Sequence, residues 1–111
     1  MQITFAAAKN QKNIEDRKMN FELVYSFEFE SAIYAVDVRR DYGEIRHRAL
    51  GLMALRVYAL VFVETTKGIR VISFRKANKR EVTLYKQKNK NSMLFLRYAK
   101  ETLKINPIRK M

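Results

Sequence analysis

The sequence predicts an α+β domain made of two N-terminal helices, an antiparallel four-stranded meander and a C-terminal helix, with room for a short leading strand. Three observations carry this prediction. Residues 31–38, 45–52, 57–63 and 69–74 are rich in Ile, Val, Tyr and Phe and are separated by short polar or turn-forming stretches, as expected of successive antiparallel strands. Helix-favouring segments flank this block instead of alternating with it, which groups the helices against one face of a sheet. The 111 residues, 48% of them hydrophobic, suffice for one core and one domain.

Taken in order, Ile3 to Phe5 is a short apolar start suited to an edge strand. Ala6 to Arg17 has high helix propensity but offers only Ala8 and Ile14 as apolar contacts, so this helix is polar and thinly anchored. Asn20 caps a second helix from Phe21 to about Phe29, in which Phe21, Val24, Tyr25 and Phe29 lie near helical spacing. The strand Ser31 to Val38 runs into Arg39-Arg40-Asp41-Tyr42-Gly43-Glu44, where Asp and Gly supply a turn. The next strand, Ile45 to Leu52, places Arg46 and Arg48 on one face and Ile45, His47 and Ala49 on the other. Met53-Ala54-Leu55-Arg56 connects it to VYALVFV, residues 57–63, the most apolar run and the expected central strand. After Lys67-Gly68, the composition of Ile69 to Phe74 fits a strand covered on both sides for most of its length. Arg46, Arg48 and Arg70 are the candidates to line the face that the helices leave open.

The strand ends in Arg75-Lys76-Ala77-Asn78-Lys79-Arg80-Glu81. Asn78 is a good N-cap, and Glu81 stands three residues on, as in a capping box. Arg75, Lys76, Lys79 and Arg80 thus crowd a helix start, where the dipole and free N–H groups already favour an anion such as phosphate. A solvated helix face explains such a charge run about equally well. Lys88-Asn89-Lys90-Asn91-Ser92 is expected to break this helix, and Met93 to Lys104 to resume helical spacing. Residues 1–88 would then form the domain, and 89–111 a basic, helical extension that is not a separate domain.

Charge narrows the partners. The 23 Lys and Arg against 11 Asp and Glu give +12 and a pI near 10.2, a field that concentrates nucleic acid or an acidic protein. No apolar run approaches the ~20 residues of a membrane span. The start, MQITFAAAKNQKN, lacks a signal-peptide apolar region, so export is not expected. With no cysteine and one histidine, a disulfide framework, a thiolate site and a His-rich metal site are excluded. Neither a cofactor nor a metal is expected.

Several separated motifs, Asp41-Tyr42-Gly43-Glu44-x-Arg46, Ala49-Leu50-Gly51, Arg56, Arg70-Val71-Ile72-Ser73-x-Arg75-Lys76-Ala77, Glu81 and Tyr85, resemble the BrnT family of bacterial toxins. Phe5 to Asn13 and Phe21-Glu22 are similar to that family's opening strand and helices. The chain departs from it at Ala6-Ala7, where many members have Asp-Pro, and at Asp16-Arg17-Lys18, where many have a glycine turn. The resemblance implies a compact RelE-like fold and a cytoplasmic, metal-independent endoribonuclease that cuts RNA and inhibits translation. It also implies neutralisation by a cognate BrnA-like antitoxin, a complex of the two that binds DNA, and assembly into higher-order toxin–antitoxin particles. The positions carried over are Glu44, Arg46, Arg75, Lys76, Glu81 and Tyr85.

Metal-free RNA cleavage needs a base for the 2′-hydroxyl, cations for the phosphate and an acid for the leaving 5′-oxygen. Arg46 and Arg75 suit the phosphate because a guanidinium fork matches two oxygens. Lys76 is a candidate base or acid through like-charge repulsion from its neighbours. Glu81 is the rival base, and Tyr85, one turn on, can donate to a phosphate or stack on a base. Arg48, Arg70, Lys79 and Arg80 are the expected nucleic-acid contacts. Each has a plainer alternative: Glu81 as a cap alone, Tyr85 as a packing residue beside Val82, and Arg46 as a partner of Asp41 or Glu44 in the hairpin. His47, off the Arg46 face, is not favoured as a base. The alternative function is a non-catalytic basic nucleic-acid-binding domain, or an inactivated toxin that mainly binds a protein partner.

Overall fold

Four consecutive strands build the expected meander: β2 (Ile33–Val36), β3 (His47–Met53), β4 (Arg56–Glu64) and β5 (Gly68–Lys76). A fifth strand, β1 (Gln2–Thr4), lies parallel to β5, so the sheet is mixed and ordered β1-β5-β4-β3-β2. This corrects the four-stranded antiparallel expectation; the leading strand pairs at the edge because Gly68 lets it approach. The computed structural model describes residues 1–90. Its helices are α1 (Ala7–Arg17) and α2 (Lys79–Lys90), with a 3₁₀ helix at Phe21–Ser26. The expected helical tail from Met93 to Lys104 lies outside the described residues.

Cross-strand pairing sorts the side chains onto two faces. The row Tyr34, Ala49, Leu60 and Phe74 lies on one face, and the row Ile33, Leu50, Ala59 and Arg75 lies on the other. The first face forms the main core with Met19, Phe21, Val24 and Phe27, beneath α1 and the 3₁₀ helix. On the second face Val57 and Ala59 are buried outside that cluster, together with Tyr85 of α2, which crosses β2, β3 and β4. The helices therefore cover both faces, which corrects the expectation that they share one. A bulge between Val61 and Phe62 sets Ser73 opposite one and Val71 opposite the other, leaving Ile72 as the extra residue.

The predicted second α-helix is instead a 3₁₀ helix. Asn20 Oδ1 accepts from the Glu22 N–H (2.9 Å), and the Phe27 N–H donates to the Val24 carbonyl (3.0 Å). That tighter pitch carries Phe21, Val24 and Phe27, three residues apart, onto one buried side, and leaves Tyr25 61% exposed. Strand β2 is shorter than the expected 31–38, and no tight hairpin joins it to β3, because residues 37–46 form an organised loop instead. The β3–β4 turn uses Ala54 (φ 50°) and Leu55 (φ 64°), both left-handed, the conformation that matches strand twist in two-residue hairpins. This turn lacks the usual Gly or Asn signature, so composition alone does not mark it. α2 runs through Lys88 and Asn89, where the sequence suggests a polar break; Asn89 is buried, and its Nδ2 donates back to the Tyr85 carbonyl (3.2 Å).

Gly68 is the residue that admits β1. A Cβ there would overlap the backbone of Gln2, whose N–H donates to the Lys67 carbonyl (2.9 Å). Gly68→Ala is expected to detach β1 and cost roughly 1–3 kcal/mol through overpacking. A lowered urea midpoint with faster exchange of the Ile3 and Thr4 amides checks this.

Candidate functional site

Between α2 and the β2–β4 part of the sheet lies an open cleft of about 580 Å³. Its floor is apolar, with Ile33, Leu50, Ala59 and Leu84, while Arg39, Arg48, Arg75 and Lys88 stand around it against one carboxylate, Glu81. Of these cations Arg75 is paired to Glu81 and Arg39 to a carboxylate outside the lining, Asp37, so Arg48 and Lys88 carry the excess charge, which in a concave site favours an anionic ligand.

Glu81 is placed by the start of α2. The Glu81 N–H donates to Asn78 Oδ1 (2.8 Å), and Glu81 Oε1 accepts the Asn78 N–H (2.9 Å), completing the expected capping box. The same carboxylate receives the Arg75 fork, NH1 to Oε1 and NH2 to Oε2, both at 2.8 Å. Arg75, with Arg48 near by, holds the Glu81 carboxyl below its ordinary range, so it is ionised at neutral pH; Glu81 in turn raises the Arg75 guanidinium. Among the described residues, Arg48 and Lys88 have no ion-paired carboxylate, which leaves their charge available to a ligand.

Strand alternation divides the basic turn that reads as one cluster in sequence. Arg75 pairs across from Ala59 on the cleft face, whereas Lys76 pairs across from Tyr58 on the other. Lys79 and Arg80 are exposed on the first turn of α2. Glu81 answers the dipole and Asn78 takes a first-turn N–H, and of the four cations of this turn only Arg75 lines the cleft. Tyr85, itself on α2, is 7% exposed, as its reading as a packing residue expects.

Arg46 and Arg70 form a neighbouring group on the cleft face. Glu44 accepts from Arg46 Nε (3.1 Å) and from Arg70 NH2 (2.8 Å), and these two guanidiniums, Arg70 first, lower its pKa. Of the two partners in the plainer alternative for Arg46, Asp41 or Glu44, it is Glu44 that pairs with it, and Arg46 also lies over the Tyr42 ring at 4.3 Å. His47 stacks on Phe62 on the opposite face, centroids 5.3 Å apart, with Nε2 3.4 Å from Glu64.

Sequence reasoning missed Arg39, Lys88 and Asp37. Asp37 sits inside an apparent strand, Ala35-Val36-Asp37-Val38, and Lys88 in an apparent break, so neither carried a local signal. Asp37 is buried, and hydrogen bonds from Arg39 followed by one from Tyr42 hold its carboxyl far below the ordinary range.

The lowered carboxyls are expected to make the fold acid-sensitive. Asp37, Glu44 and Glu81 all have depressed folded-state pKa values, so their stabilising contribution is complete above the unfolded values near 4 and is lost as pH falls through the folded ones. Melting temperature is expected to be level near neutral pH and to fall below about pH 4, with a shallower fall in Asp37→Asn. Melting curves of both proteins between pH 2 and 7 check this.

Residues 5–81 match the family model described as ribonuclease toxin, BrnT, of type II toxin-antitoxin system. No curated protein matches the sequence. Among the described residues there is no helix long and apolar enough to cross a membrane and no acidic or histidine cluster that could hold a metal ion.

Proposed function

Because the chain belongs to the BrnT family of ribonuclease toxins of type II toxin–antitoxin systems, we propose that it cleaves RNA in the cleft between α2 and the sheet, without a metal ion and with the layout of a RelE-like enzyme. The observation that carries this reading is the convergence of Arg48, Arg75 and Lys88 around an ionised Glu81 over an apolar floor. A ribose and base rest on the floor while the guanidiniums take the phosphate.

In the proposed step the 2′-oxygen attacks phosphorus, its proton passes to Glu81, and the bond to the 5′-oxygen breaks. Glu81 is the base of this scheme by position: the cap holds its ionised carboxylate, the Arg75 fork lowers its basicity in the free protein, and transfer of that fork to the phosphate restores the basicity as the proton arrives. Arg75, bidentate to Glu81 in the free protein, transfers part of its fork to the phosphate as charge builds there, with Arg48 beside it. Lys88, two turns beyond Glu81 on α2, is the candidate to protonate the leaving 5′-oxygen. Lys76, on the other face, and the buried Tyr85 support the fold in this scheme without touching the phosphate. The exposed Lys79 and Arg80 and the Glu44-tied Arg46 and Arg70 extend the basic surface along the RNA.

We further propose that the toxin acts in the cytoplasm, that its RNA cleavage inhibits translation, and that an acidic antitoxin neutralises it by covering this basic cleft, the pair acting together on DNA. The +12 charge favours such a partner.

The test is incubation of the purified protein with labelled mixed-sequence RNA in excess chelator. Products ending in 2′,3′-cyclic phosphate and 5′-hydroxyl are expected, at a rate that the chelator leaves unchanged. RNA that is bound, with a steep salt dependence, but left intact under all conditions would replace the enzyme by a binding module.

A further inference from the structure

We propose that Arg39 binds a second phosphate in the cleft, next to the one taken by Arg75 and Arg48, and that the buried Asp37 is the positioning residue that aims it. This inference rests on reading the cleft as an RNA site.

Asp37 is 5% exposed, a setting in which an unpaired carboxylate is costly. It is fully engaged. Oδ1 accepts the Arg39 backbone N–H (3.2 Å) and Arg39 Nε (2.8 Å), while Oδ2 accepts Arg39 NH2 (2.7 Å) and the Tyr42 hydroxyl (3.1 Å). A two-residue spacing therefore closes a fork-to-fork pair that leaves the guanidinium one orientation. The carboxylate side chain is 1% exposed and the arginine 64%, so the anion is spent inward while the donors not used on Asp37 face out to the cleft.

The support continues outward from there. Gly43, at φ 74°, closes the loop with its N–H on Asp41 Oδ1 (2.9 Å). Tyr42 lies under the guanidiniums of Arg40 (5.5 Å) and Arg46 (4.3 Å), and Arg46 shares Glu44 with Arg70 of β5. Loop 37–46 is thus tied to the sheet through a continuous set of contacts that converge on holding one arginine. An arginine needed only for solubility gains little from this, since exposed pairs are worth about 0–1 kcal/mol. Arg39 and Arg75 both line the cleft, and the charge of Arg39 disfavours that of Arg75. Two guanidinium forks facing one cleft fit consecutive phosphates of a single strand: the reacting one at Arg75 and its neighbour at Arg39.

The experiment uses the full chain and two ligands, a 2′-O-methyl RNA that cannot be cleaved and the matching RNA that can. Binding is measured across a salt series and cleavage as kcat and KM, for Arg39→Ala, Arg39→Lys, Asp37→Asn and, as a distant control, Lys12→Ala on α1. Arg39→Ala is expected to weaken binding of the uncleavable RNA about tenfold and to lower the salt slope by about one. Arg39→Lys keeps the charge but not the fork, so binding stays within about threefold while kcat falls at least about tenfold. Asp37→Asn, with one negative charge fewer, is expected to show the same loss in kcat with KM no higher than wild type. If Asp37→Asn does not fold, the Arg39→Lys kinetics decide the question. Arg39→Ala binding like Lys12→Ala, or Arg39→Lys cleaving like wild type, overturns the proposal. The two readings fail separately: a wild type that binds but does not cleave removes the ribonuclease reading, whereas the binding series still decides Arg39.

Discussion

Arg75→Ala is expected to lower RNA cleavage by roughly 10²–10³-fold, the loss typical of removing one preorganised donor to developing charge. Its side chain is about one-third exposed and its pairing with Glu81 is near the surface, so the fold is expected to survive with a loss of about 0–1 kcal/mol. Arg75→Lys restores the charge without the two-pronged geometry and should recover only part of the rate. Glu81→Gln separates two jobs of one residue. Glutamine can still accept the Asn78 N–H, as capping boxes allow, but is a far weaker base. A folded Glu81→Gln that loses cleavage assigns the carboxylate to proton transfer; one that cleaves normally leaves it as a cap and a holder of Arg75. Single-turnover rates beside thermal melts distinguish these outcomes. Cleavage by Arg75→Ala within about threefold of wild type would move the active site away from this cleft.

The largest loss of stability is expected at Asn13, the one buried polar residue of α1. Its Nδ2 donates to the Met19 carbonyl (3.0 Å) and to the Phe74 carbonyl (2.8 Å), while Oδ1 accepts from Arg17 NH1 (3.1 Å). The helix is thereby fastened to β5 beyond the point where β1 pairing ends. Asn13→Ala leaves both carbonyls without that donor and is expected to cost roughly 2–4 kcal/mol. Asn13→Asp keeps the shape but offers acceptors to acceptors at neutral pH. Its deficit relative to wild type should narrow on acidification, because the protonated acid regains one O–H donor. Urea denaturation of both variants at neutral and acid pH measures this, and an Asn13→Ala midpoint equal to wild type would show that the helix is held by its apolar contacts alone.

The strands β3, β4 and β5, the cap at Asn78 and the pairing of Arg46 with a nearby carboxylate were legible along the chain, because each depends on residues two or three positions apart or on strand alternation. The 3₁₀ pitch of Phe21–Ser26 was not, since Phe21 and Val24 fit either helix and only the burial of Phe27 in place of Tyr25 separates them. The front of the chain misled for a similar reason: Asn13 anchors α1 through carbonyls six and sixty-one residues away, and no local pattern marks such a partner.

By itself, then, the sequence determined a basic α+β domain with a central VYALVFV strand and a cation-rich entry to the last helix, because composition and short-range spacing suffice for those. Tertiary structure decided which cations share a site. Strand alternation sends Lys76 to the opposite face from its neighbour Arg75, while the pairing of β2, β3, β4 and β5 and the crossing of α2 bring Arg39, Arg48, Arg75, Glu81 and Lys88 to one cleft. Electrostatic work depends on distance in space, and neighbours along a strand point away from each other.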